Sequence, residues 1–95
     1  MQIIQTDVFG TWLENLTDKQ AAARIKVRIR RMETGNPGDV RSVGGGVSEL
    51  RVDHGPGYRV YFTRRAQITI ILLCGGDKKT QRKDIATAQR MAKEV

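Results

Sequence analysis

The 95 residues include only one cysteine and one histidine. Cys74 has no partner for an internal disulfide, which points to a reducing compartment. One Cys and one His give no metal site of familiar spacing. They also give no evident Ser-His-Asp or Cys-His arrangement. His54 falls in an expected turn and reads as a solvated turn residue, while Cys74 ends an apolar run and reads as a small core residue. The longest apolar stretch, Ile68 to Cys74, is far too short to span a bilayer. The opening MQIIQTD has neither a basic segment nor a long apolar run, so no secretory signal is expected. A Walker-type phosphate loop is missing as well, since GGDKKT (75–80) lacks the spacing and the preceding glycine. No repeat, low-complexity tract or linker divides the chain. One domain over residues 1–95 is expected, in the cytoplasm, without metal, cofactor or membrane partner.

What the chain does have is positive charge. Net charge is +7 and the sequence pI is near 10.2. Residues 1–40 carry six Lys/Arg against five Asp/Glu, and residues 41–95 carry eleven against five. The second half is therefore the basic one. A basic surface draws polyanions by counterion release and steers their approach. Nucleic acid or ribosome binding is one reading of this charge, and a merely solvated surface is the other.

Hydrophobic periodicity sets out the elements. Met1–Thr6 reads as a short strand. Thr6 or Asp7 can cap a helix over Val8–Leu16, whose Phe9, Trp12, Leu13 and Leu16 share one face and mark Trp12 as core. Thr17 or Asp18 starts a second helix reaching about Thr34, with Ala22, Ile25, Ile29 and Met32 as its buried stripe. Arg24, Lys26, Arg28, Arg30 and Arg31 face mostly away from that stripe, a solvated face that also suits RNA. Gly35 caps the helix and GNPGD (35–39) forms a connector. Residues 40–77 read as an antiparallel sheet. Its strands fall at 47–53, 58–62 and 67–74, the last covered on both faces and broken by GGDKKT. A final helix over about 80–93 presents Ile85, Ala88, Ala92 and Val95. The expected order is β-α-α-β-β-β-α, an α+β fold with two N-terminal helices packed on a curved antiparallel sheet.

Chemistry-bearing residues gather on that sheet. Arg51 and Arg59 lie on strands joined by the HGPG turn (54–57), and alternation puts Glu49 with Arg51, and Arg59 with Tyr61. Lys78 and Lys79 follow the central strand. Gly75 and Gly76 let the backbone approach a ligand there, and the N–H groups opening the last helix can receive a phosphate. Fixed cations of this kind suit RNA cleavage by the ribose 2′-OH, where charge grows on the phosphoryl oxygens. A base and an acid must move the protons. The candidates are a Lys or Arg of depressed basicity, Glu49, or a tyrosine. The alternative is a basic sheet edge that only binds.

The strings VGGGVSELR (43–51), GPGYRVYF (55–62) and LLCGGDK (72–78), with AARI (22–25) and the glycine-rich connector at 35–39, resemble the HigB-like addiction-module-killer branch of the RelE/ParE toxin superfamily. The resemblance covers almost the whole chain in the same order. It implies a RelE-like fold and a ribosome-dependent endoribonuclease that cuts mRNA. It also implies a neighbouring helix-turn-helix antitoxin of the HigA class, and a toxin that is monomeric when free. Tyr58-Arg59 matches the family's Tyr-Arg pair, so Arg59 is implied as the phosphate ligand. Arg51, Lys78 or Lys79 and Glu49 fall at other site positions. Apart from the resemblance, Arg24, Arg28, Arg31, Arg64, Arg65 and Lys83 are the basic residues expected to contact RNA and ribosome. The C-terminal catalytic Tyr or His of many relatives has no counterpart, because Gln81, Lys83 and Asp84 occupy that region. The ribonuclease reading asks that Arg59 be exposed, and burial of Arg59 against a carboxylate weighs heavily against it. A ParE-like gyrase poison and a non-catalytic RNA- or antitoxin-binding module are the alternatives.

Overall fold

The computed structural model describes all residues from Met1 to Val95. Its elements are β1 (Gln2–Gln5), α1 (Asp7–Glu14), α2 (Lys19–Glu33), β2 (Val40–Gly44), β3 (Val47–Val52), β4 (Tyr58–Arg65), β5 (Thr69–Asp77), a 3-10 turn (Lys78–Thr80) and α3 (Gln81–Glu94). The α+β class holds, with two corrections. The strand at Val40–Gly44 makes five strands in all, in the order β1-β5-β4-β3-β2. The sheet is also mixed, because β1 runs parallel to β5. β2 carries only Val40 and Val43 as apolar residues, too few to show alternation. It is held instead by a hairpin whose Gly44, Gly45 and Gly46 all have left-handed φ.

Helix starts follow from side-chain caps. The Thr6 hydroxyl accepts from the Phe9 N–H at 3.1 Å and donates to the Leu73 carbonyl at 2.7 Å, so the cap of α1 also docks it on β5. Asp18 caps α2 by accepting from the Ala21 N–H at 3.1 Å. Its other oxygen meets His54 Nε2, also at 3.1 Å. His54 is thus a half-buried tie between the β3–β4 turn and α2, where a solvated turn residue was expected.

The sheet has a core on each face. Phe9, Ile25 and Met32 from the early helices meet Leu50, Val52, Val60, Phe62, Ile70 and Leu72. Ala21, rather than Ala22, is the fully buried alanine of α2. On the other face α3 lays Ala88 against Val47, Tyr61, Leu73 and Cys74. A bulge in β5 opposite Tyr61 and Phe62 leaves Leu73 unpaired and turns it, with Cys74, toward α3. Burial raises the Cys74 thiol to about 11, so it behaves as a core residue. No helix is long and apolar enough to cross a membrane.

β5 departs from expectation at both ends. It starts at Thr69 because Ala66 and Gln67 take left-handed φ in the turn, leaving Ile68 65% exposed. It continues through Gly75 and Gly76, which pair with Val60 and Arg59. Trp12 presses on Gly75 from one side and Asp84 on Gly76 from the other, so neither has room for a Cβ. These glycines serve packing and leave no space for a ligand. Gly75→Ala, which meets the Trp12 ring, is expected to destabilise the fold by about 1–3 kcal/mol in urea denaturation. The contacts of Asp18 also make stability pH-dependent. The Ala21 N–H first, then His54, hold its carboxyl below the ordinary value of 3.8. That contribution is complete above the ordinary value and is lost as pH falls through the lower folded one. Asp18→Asn should therefore flatten the acid limb of a stability–pH curve.

Candidate nucleic-acid interface

Register places the sheet cations. Arg51 lies directly opposite Arg59, and Glu49 opposite Tyr61, all on the α3 face. The expected shared face is therefore present. At the turn end of the β3–β4 hairpin, Arg51, Arg59 and Lys78 line a cleft of about 360 Å³, with Asp39, Asp53 and Tyr58 also on its walls. Three of the five residues expected to do chemistry come together here. Lys79 is exposed and does not line the cleft. The N–H groups of Lys79 and Thr80, in the 3-10 turn before α3, are taken by the Asp77 carboxylate, while the first turn of α3 itself has no side-chain cap.

Glu49 lies behind the cleft with no solvent exposure. Its Oε1 accepts from Arg41 Nε at 3.1 Å. Its Oε2 accepts from Tyr61 Oη at 3.0 Å and from Gln81 Nε2 at 2.8 Å. Arg59 Nε stands 3.4 Å from the same Oε2 and makes no hydrogen bond, the one buried side-chain donor left unpartnered. Two donors already fill the oxygen that Arg59 faces, so its attraction there is Coulombic rather than a directed bond. Arg59 Nη1 donates to the Gly57 carbonyl at 2.9 Å. The Arg59 side chain is only 11% exposed. It is therefore not the freely exposed phosphate ligand that the ribonuclease reading asks for, and this weighs heavily against that reading.

The acid and base candidates fare similarly. Burial first, and then the bond to Glu49, push the Tyr61 phenol well above its ordinary range, so Tyr61 acts as a donor to Glu49. Glu49 itself has donors on both oxygens and no path to solvent. The Asp39 hydrogen bond raises Arg51 above the ordinary arginine value, opposite to what a base needs. Tyr58 is the tyrosine at the cleft, half-buried beside Trp12 at a ring separation of 6.3 Å. No group of three or more His, Cys, Asp or Glu side chains is arranged to hold a metal ion.

The remaining basic residues separate into structural and surface groups. Arg28 is structural. Its guanidinium donates to the carbonyls of Arg51 at 2.7 Å and Pro37 at 2.9 Å, clamping the 35–39 connector to α2 and β3. Desolvation lowers its pKa, as burial of a cation must. Arg24 and Arg31 are exposed and border a second cleft of about 400 Å³ over Val27 and Val52. Arg64 and Arg65 are exposed at the far end of β4, roughly 20 Å from the first cleft at strand rise. Lys83 is exposed on α3. Arg41 and Gln81 were not among the expected site residues, yet with Tyr61 they hold Glu49. The signal for Arg41 was the three-glycine hairpin, which sets it opposite Glu49.

The architecture and cleft define a small α+β protein with three cations at one end of its sheet, two of them paired with its own carboxylates. Residues 11–93 match the family described as "Phage derived protein Gp49-like". The chain belongs to this family, a RelE-type, toxin-like family of toxin–antitoxin contexts. It is also similar to an uncharacterised protein of Haemophilus influenzae, 48% identical over 95 residues, which are all of this chain and 96% of that one.

The Glu49 network makes a thermodynamic prediction. Glu49→Ala strands the Arg59 guanidinium and should cost about 3–5 kcal/mol in chemical denaturation. Arg41 is 52% exposed, so Arg41→Ala should cost less than about 1 kcal/mol.

Proposed function

We propose that this protein is the toxin of a toxin–antitoxin pair, a ribosome-dependent mRNA endoribonuclease with a RelE-like fold and HigB-like kinship. A helix-turn-helix antitoxin of the HigA class neutralises it. Family membership supports the toxin, and the open cleft bordered by Arg51, Arg59 and Lys78 supports the RNA. In this reading the ribose 2′-hydroxyl gives its proton to water and attacks the adjacent phosphorus, the bond to the 5′-oxygen breaks, and that oxygen takes a proton from water, leaving a 2′,3′-cyclic phosphate and a 5′-hydroxyl. Arg51 and Lys78 stabilise the charge that develops on the phosphoryl oxygens. Arg59, largely buried against Glu49, lines the cleft behind them and is given no direct part in holding the phosphate. With no acid or base fixed at the cleft, the reaction depends on the ribosome to align the message, and it is slow without it.

The same shortage of an acid and base favours a second reading, a module that binds RNA or antitoxin without cutting. It expects salt-dependent RNA affinity and no cleavage. A ParE-like gyrase poison instead stops DNA synthesis before protein synthesis.

The test is induction in bacteria followed by mapping of mRNA 5′ ends. Wild type should produce cuts within translated codons, absent from an untranslated copy of the message. Arg51→Ala combined with Lys78→Ala should lower cutting by at least about 100-fold while the protein stays folded. Arg59→Ala is a poorer probe, because it leaves the buried Glu49 short of a cation. Growth arrest without cuts sinks the ribonuclease and favours the other two readings, which pulse-labelling of DNA and protein then separates.

A further inference from the structure

Both guanidiniums of the cleft are held by carboxylates of the same chain, but very differently. Arg59 faces Glu49 in the interior, with side chains 11% and 0% exposed. Arg51 sends Nε and Nη2 to a single oxygen, Oδ1 of Asp39, at 3.2 and 2.9 Å. These two side chains are 41% and 54% exposed. Two donors of one guanidinium converging on one acidic oxygen is a geometry that also serves a phosphate oxygen. We propose that Asp39 takes, on Arg51, the place of a substrate phosphate oxygen and is displaced by RNA, so that the Asp39–Arg51 pair masks the cleft. The inference rests on the RNA-binding reading of the cleft.

The Asp39 side chain can leave without disturbing the fold. Its backbone carbonyl is what the structure uses, accepting from the Arg51 N–H at 3.0 Å and from Arg28 Nη2 at 3.4 Å. Its carboxylate bonds to Arg51 alone. Mainly through that bond, the carboxyl stays below its ordinary range and is ionised at neutral pH. An exposed pair of this kind is weak and screened by salt. A polyanion arrives with many charges and releases counterions, so it competes well. The buried Glu49–Arg59 pair is not open to such exchange. Asp53 also lines the cleft but forms no ion pair, which makes it the control for simple loss of negative charge.

The experiment is fluorescence anisotropy of a labelled single-stranded RNA oligonucleotide with the purified full chain, without ribosomes. Asp39→Asn should bind about three- to fivefold more tightly than wild type. That gain should vanish when Arg51→Ala is present, and any gain from Asp53→Asn should persist in the same background. Thermal melts confirm that each variant is folded. If Asp39→Asn binds no more tightly, or its gain survives Arg51→Ala, the mask is overturned. If wild type binds, Arg51→Ala weakens binding and Asp39→Asn gains nothing, only the mask falls. If neither wild type nor Asp39→Asn binds RNA, the RNA reading of the cleft falls and the mask falls with it.

Discussion

Glu49 sits in the middle of β3 without solvent contact, and a carboxylate so placed must be met by donors or it unfolds the chain. Three hydrogen-bond donors and one unbonded cation meet it, from three separate elements. Arg41 reaches it from β2, Tyr61 and Arg59 from β4, and Gln81 from the first residue of α3. One charged oxygen pair therefore fixes the edge strand, the middle of the sheet and the start of the last helix relative to one another. Tyr61 can be fully buried because its hydroxyl has this acceptor. Arg59 can be largely buried because its charge is matched, even though its Nε is given no bond of its own.

That same choice decides where positive charge is usable. In the cleft, Arg59 is balanced by Glu49 and Arg51 by Asp39, which leaves Lys78 as the cation without a carboxylate. The excess charge of the chain lies instead on outer faces, at Arg24, Lys26, Arg30 and Arg31 of α2, and at Arg82, Lys83 and Arg90 of α3. Long-range attraction for a polyanion and local contact at the cleft are thus assigned to different residues. Net charge speaks to the first of these and says little about the second.

Much of the fold was legible in the sequence, because two-residue and 3.6-residue periodicities report burial directly. Phe9, Ile25, Met32 and the alternation of Tyr58 to Phe62 fell where expected. Long-range pairing was not legible. The parallel partner of β1 lies more than sixty residues away, and a four-residue strand carries no mark of its neighbour. Gly75-Gly76 read as a strand break because glycine usually punctuates, yet here the missing side chains admit Trp12 and Asp84. The candidate site was half legible. Register brought Arg51 and Arg59 together as the alternation suggested. Which arginines are spent on internal partners was hidden, since Arg28 looks like Arg24 or Arg31 until the carbonyls of Pro37 and Arg51 are in place.

The contact of Trp12 with Gly75 has an optical consequence. Trp12 is the single tryptophan of the chain, and its ring lies against bare backbone at the end of β5, next to Tyr58 on the cleft wall. The sheet is only one backbone thick there, with Asp84 on its far side. The indole is therefore a native fluorophore set beside the cleft, and its emission belongs to the same few residues that a ligand would disturb.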